Sequence, residues 1–99
     1  MVKKKRINKK ECIIKRKGYE EFYDEKKVYA SVYSAALNCE YTEKKAEKIA
    51  LNVMEKCSEW VRKESKNNSI YSDKIRDFVL KTLKDKDVKL MYEHHLDLS

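Results

Sequence analysis

The stretch Ile13 to Val28, IIKRKGYEEFYDEKKV, decides how the rest of the chain is read. It holds the chain's only glycine, Gly18, with β-branched Ile13 and Ile14 on one side and aromatic Tyr19, Phe22 and Tyr23 on the other. Two short strands joined at Lys17-Gly18 follow from that arrangement. A two-residue loop there sets Ile13 opposite Phe22, Ile14 opposite Glu21 and Lys15 opposite Glu20, giving one apolar cross-strand pair and one ion pair. Gly18 supplies the positive φ that the turn needs, whereas Lys17 is a poor fit at the first turn position, where Asn or Asp is preferred. Asp24 then caps a helix whose first turn holds Glu25, Lys26 and Lys27, so Lys27 lies near a helix end that favours anions. Cations of the hairpin and of the helix start thereby converge.

Outside this stretch the 99 residues read mostly as helix. The length, the absence of proline and the lack of any long low-complexity tract fit a single domain over 11–99, preceded by a basic flexible tail over 1–10. Charged residues make up 41% of the chain and the mean hydropathy is −0.87. Those values approach the disordered range, but the apolar residues recur at helical spacing, which disordered segments lack. The net charge of +7 is concentrated at the front: residues 1–17 carry nine Lys/Arg and one Glu, so the body is close to neutral. Residues 1–10 are read either as a solvated terminus or as an arm for nucleic acid or an acidic partner, which would bind with salt-sensitive affinity.

Cys12, Cys39 and Cys57 are odd in number and widely spaced, which argues against a disulfide framework and for a reducing cytosol. No CxxC pair suggests a zinc ribbon, and His94 and His95, being adjacent, fall on different helix faces and make no metal pair. No apolar run approaches the roughly 18 residues of a membrane span, and charge rather than an apolar core follows Met1. A soluble cytoplasmic protein without membrane association is expected. There is no P-loop, no Ser-His-Asp arrangement and no carboxylate cluster for two metals, which points away from an enzyme.

From Asp24 to about Asn38, Val28, Val32, Ala35 and Ala36 form one helical stripe, with Tyr29 and Tyr33 beside it as core or as a π face for a base. Cys39-Glu40-Tyr41 breaks the pattern and Thr42 caps a second helix to about Glu64, with Ala46, Ile49, Ala50, Val53, Cys57, Trp60 and Val61 facing the core. Cys57 on that stripe is a small hydrophobe rather than a nucleophile. Ser65-Lys66-Asn67-Asn68 is a loop and Ser69-Ile70-Tyr71 a short β-prone segment. Ser72, reinforced by Asp73, is expected to cap a third helix that packs through Ile75, Phe78, Val79, Thr82 and Leu83. Asp87 is expected to cap a last one, with Val88, Met91, Tyr92 and His95 on one side.

The opening stretch resembles the ATP-cone, the nucleotide-sensing regulatory domain of many ribonucleotide reductases and of their transcriptional repressor, whose pattern runs roughly V-x-K-R-D-G-R-x-E-x-F-D-x-x-K-I. Lys15, Arg16, Gly18, Glu21, Asp24 and Lys27 fall on its characteristic positions without a gap, and Tyr23 and Val28 replace its aromatic and aliphatic residues. Lys17 departs from it, the family usually having Asp, and His95-Leu96 stand where the family ends on Tyr-Arg. The resemblance extends over about residues 11 to 96. It implies a third strand at Ser69–Tyr71, and a mainly helical α+β fold in which a β-hairpin or three-stranded sheet caps a four-helix bundle. It also implies an ATP or dATP effector site drawing on Ile13, Lys15, Arg16, Glu21, Asp24, Lys27, Ser72 and Arg76, with Mg2+ as a candidate companion ion. Chemically, Lys15, Arg16 and Lys27 answer the phosphate charge, and Glu21 and Asp24 can accept the adenine amino group. With the reductase barrel and the repressor's zinc ribbon both absent from the sequence, the expected function is a regulatory sensor acting through its own oligomeric state or a partner such as a reductase or regulator. The alternatives are a small basic nucleic-acid-binding regulator and a structural adaptor that has lost its ligand.

Overall fold

The computed structural model describes residues 12–65 and 69–98, with side chains described as far as His94. The expectations for residues 1–10, for the loop at 66–68 and for the His95 side chain lie outside the described residues. Two strands, β1 (Ile13–Arg16) and β2 (Tyr19–Phe22), lead into helices α1 (Glu25–Asn38) and α2 (Glu43–Glu64). A third strand, β3 (Ser69–Tyr71), runs straight into α3 (Ser72–Thr82), and α4 (Lys86–Leu98) follows. The chain is thus α+β and mainly helical, with a mixed sheet in the order β2-β1-β3.

The hairpin register is the one read from the sequence: Ile13 opposite Phe22, Ile14 opposite Glu21, Lys15 opposite Glu20. The turn differs. Gly18 has φ +90° and Lys17 does not have a positive φ, which is the pattern of a type II rather than a type I′ turn. The first position of a type II turn accepts most residues, so Lys17 carries no backbone penalty there. Lys15 also forms no ion pair with Glu20; its ammonium turns toward β3 and stands 5.8 Å from the centre of the Tyr71 ring. β3 pairs with β1 in parallel, Ile14 beside Ile70 and Lys15 beside Tyr71. Alternation then sorts the sheet: Ile14 and Ile70 are buried against the helices, Arg16 and Glu21 share that face, and Ile13, Lys15, Phe22 and Tyr71 point the other way.

Asp24 caps α1 by accepting from the Lys26 amide at 3.0 Å, and Thr42 caps α2 through the Lys45 amide at 3.2 Å. Between them α1 ends in a Schellman motif: the Tyr41 amide reaches the Ala36 carbonyl, the Glu40 amide reaches the Leu37 carbonyl, and Glu40 sits at φ 65°. Two caps differ from the sequence expectation. Tyr71, still extended because it pairs with Lys15, is the N-cap of α3 and offers no side-chain bond, so Ser72 is the first helical residue rather than the cap. Asp85, not Asp87, caps α4: its Oδ1 accepts from the Asp87 and Val88 amides while its Oδ2 takes the Tyr41 hydroxyl at 2.6 Å. Capping there ties the start of α4 to the α1–α2 turn, which a cap at Asp87 would not do.

The core follows the apolar stripes. Ala35, Ala36, Ala46 and Ala50 are almost wholly buried, and such small side chains let α1 and α2 approach closely along the most extensive helix contact in the chain. α1 also packs on α4 and α2 on α3, where Trp60 and Phe78 stack with ring centres 4.6 Å apart. Tyr29 and Tyr33 stack on each other at 5.7 Å against the edge of this core. Cys57 is fully buried and its thiol is pushed up to about 11 by burial, which keeps it protonated and unreactive.

Candidate functional site

The hairpin and α1 meet at one carboxylate. Glu21 Oε2 accepts from Arg16 Nε at 2.6 Å, and Glu21 Oε1 accepts from Lys27 Nζ at 3.0 Å. The bond from Lys27, then that from Arg16, holds the Glu21 carboxyl below the usual glutamate range, so it stays ionised. Three residues from β1, β2 and the first turn of α1 are thereby fixed side by side. The spacing explains why: Glu21 sits on the same sheet face as Arg16, and the cap at Asp24 starts the helix where one turn brings Lys27 beneath the strand.

A second tie fixes the same junction from below. Tyr23, next along from β2, is buried; its hydroxyl lies 2.9 Å from Ser58 Oγ of α2, and the Ser58 hydroxyl donates to Glu25 Oε1 of α1 at 3.1 Å. Since serine has one proton, which goes to Glu25, the Tyr23 hydroxyl is the donor of the first bond. Burial drives the Tyr23 phenol far above its ordinary value, and it remains a neutral donor.

Beside the hairpin turn lies a cleft of about 540 Å³ lined by Lys15, Arg16, Lys17, Tyr19, Tyr71, Ser72 and Asp73. A second cavity of about 510 Å³ shares its Lys15–Tyr71 wall and is otherwise bounded by Trp60, Glu64, Ser69, Ile70 and Lys74. The first cleft sets three cations against one carboxylate and flanks them with two exposed tyrosines, a surface suited to an anion carrying an aromatic group.

Of the residues expected at the site, Arg16, Glu21 and Lys27 are in direct contact, and Lys15, Arg16 and Ser72 line the cleft together. Asp24 stands between them in sequence with one oxygen engaged by the cap. Arg76 pairs with Asp77 at 3.7 Å, and its charge, with that of Arg16, acts on the buried Tyr92, whose phenol burial pushes up to about 12. Ile13 lies apart, on the outer face of the sheet with Phe22, beside a small cavity of about 220 Å³. Tyr19, Tyr71 and Asp73 also line the cleft, although the sequence signals only their places in a strand or a helix start; Tyr71 comes beside Lys15 through the pairing of β3 with β1. Ser58 gave no signal at all, being one serine beside an apolar stripe.

The hairpin and the start of α1 are clasped through Glu21, and a cationic cleft lies beside the hairpin turn. The match of residues 11–95 to the family model described as ATP cone domain names the class: the chain belongs to the ATP cone domain family. Its general role is that of a nucleotide-sensing regulatory module, of a regulatory rather than a catalytic kind. Comparisons with curated proteins and with solved structures returned no significant match. Among the described residues no helix is long and apolar enough to cross a membrane, and no group of three or more His, Cys, Asp or Glu could hold a metal ion.

Proposed function

We propose that this module binds ATP or dATP as an allosteric effector, with Lys15, Arg16, Lys27 and Ser72 toward the phosphates and Glu21 and Asp24 toward the base. The observation that carries the reading is the Glu21 carboxylate joining Lys27 to Arg16, which itself lines a cationic cleft, in a chain of this family. A carboxylate offers about four acceptor positions, so Glu21 can hold both cations and still accept an adenine amino group. Ile13 would wall the base side, and Arg76 would approach from α3. Mg2+ would arrive with the phosphates, and Asp73 is the carboxylate that lines the cleft to receive it.

Nucleotide bound there bridges the hairpin, α1 and the start of α3, so it favours whichever state of the module holds these three together. In this reading residues 11–99 form one domain with the sheet capping a four-helix bundle, and the sensor acts in the cytoplasm through self-association or a partner such as a reductase or regulator. It performs no reaction of its own. Calorimetric titration with ATP and dATP tests the reading. Saturable binding below millimolar nucleotide is expected, with Arg16→Ala and Lys27→Ala each weakening it by about tenfold and Lys4→Ala by less than about twofold. Equal loss in all three variants would reduce the effect to nonspecific charge attraction, and no saturation by folded protein would end it.

A further inference from the structure

We propose that Lys17, on the hairpin turn, contacts the ligand and grades nucleotides by the number of their phosphates, favouring triphosphate over monophosphate. The inference rests on the nucleotide reading above and adds a residue that reading does not use. Three cations line the 540 Å³ cleft, and they differ in company. Arg16 is held by Glu21 at 2.6 Å, and Lys15 stands over the Tyr71 ring. Lys17 has no ion pair and no ring contact among the described residues, while Asp73 is the one carboxylate on the cleft wall. The wall therefore carries excess positive charge, and Lys17 is its least committed part.

Position sets the order in which a ligand meets these charges. Lys17 follows the last residue of β1, on the turn side of the hairpin and away from the level at which Glu21 pairs with Ile14. A polyphosphate extending from a base held near Glu21 meets Arg16, on the same sheet face, first and Lys17, the next residue along, last. A monophosphate stops short of it. The turn itself does not ask for lysine, because only Gly18 needs a positive φ and the first position of a type II turn accepts most residues.

The test is calorimetric titration of the full chain and of Lys17→Ala, Lys17→Asp and Lys17→Arg with ATP, ADP, AMP and inorganic tripolyphosphate, at low and high salt. Lys17 is exposed on the turn, so melting temperatures within about 2 °C of the parent are expected to verify folding. A single exposed ion pair corresponds to roughly two- to fivefold in affinity, so Lys17→Ala is expected to weaken ATP and tripolyphosphate by about that factor and AMP by less than about 1.5-fold. Lys17→Asp is expected to reach about tenfold on ATP, Lys17→Arg to restore it, and added salt to narrow every gap. Saturable ATP binding with an ATP-to-AMP ratio unmoved by Lys17→Asp overturns this inference and leaves the nucleotide reading intact. Tripolyphosphate binding that depends on Lys17, with ATP gaining nothing over it, overturns the nucleotide reading and leaves the role of Lys17. If neither ligand binds, both fall.

Discussion

Ser58→Ala removes the single hydroxyl through which β2, α1 and α2 are joined, and its cost can be worked from the geometry. Ser58 is 5% exposed and Tyr23 8%, so water does not readily replace the lost group at the Tyr23 hydroxyl. A buried donor left without its acceptor costs about 1–3 kcal/mol. Two features hold the figure to the middle of that range: Cys57, whose thiol also meets the Tyr23 hydroxyl, is a weak substitute acceptor, and Glu25 is only half-buried. Ser58→Ala is therefore expected to destabilise by about 1.5–2 kcal/mol. Tyr23→Phe leaves the Ser58–Glu25 bond in place and should cost about 1 kcal/mol. The double variant should cost about 2 kcal/mol, less than the sum, since the two changes break the same bond. Urea unfolding followed by circular dichroism and by Trp60 fluorescence gives these values, with an unchanged m expected. An additive double variant, or Ser58→Ala within about 0.5 kcal/mol of the parent, would show that the hydroxyls do not act as one link.

Other outcomes follow from single positions. Gly18→Ala is expected to destabilise by about 1–2 kcal/mol from backbone strain alone, because a Cβ there meets nothing within 4 Å, and thermal melts would register it. Glu40 is the reverse case, a side chain at φ 65° where glycine is usual, so Glu40→Gly is expected to raise stability by up to about 1 kcal/mol in the same assay. The Tyr41 phenol, bonded to Asp85, is raised from 10.0 to about 12, first by that bond and then by burial. Its folded value is the higher one, so the bond stabilises fully below pH 10 and is lost as the pH rises to 12. Melting temperatures between pH 9 and pH 12 should accordingly fall more steeply for the parent than for Tyr41→Phe, and parallel curves would contradict the link.

The hairpin, its register and the helical stripes were legible because they depend on local alternation and spacing, which the order of residues states directly. The N-caps at Asp24 and Thr42 were legible for the same reason, each lying just before an apolar period. Ser72 and Asp87 were misread as caps because tertiary pairing chose otherwise. Tyr71 is kept extended by Lys15 far away in the chain, and Asp85 gains a bond from Tyr41 that only folding supplies. The Lys15–Glu20 pair failed for a related reason, since a long side chain on a central strand has two neighbours to choose from. Around the cleft, Lys15, Arg16 and Ser72 were singled out from the sequence, but not that Glu21 would clasp Arg16 and Lys27, nor that Tyr19, Tyr71 and Asp73 would complete the lining.

β1 occupies the middle of the sheet, and its two partners stand very differently in the chain: β2 follows after a two-residue turn, while β3 comes more than half the chain later. The first ladder is local and closes on the microsecond timescale of a hairpin, whereas the second is non-local and carries the larger loop-closure cost, so it is expected to form later. Ser72 follows β3 with no linker, so the far wall of the cleft arrives only with that last pairing. A molecule seated in the cleft consequently has nothing to grip early in folding. Its effect belongs on the return journey, slowing escape from the finished structure while leaving the speed of reaching it unchanged.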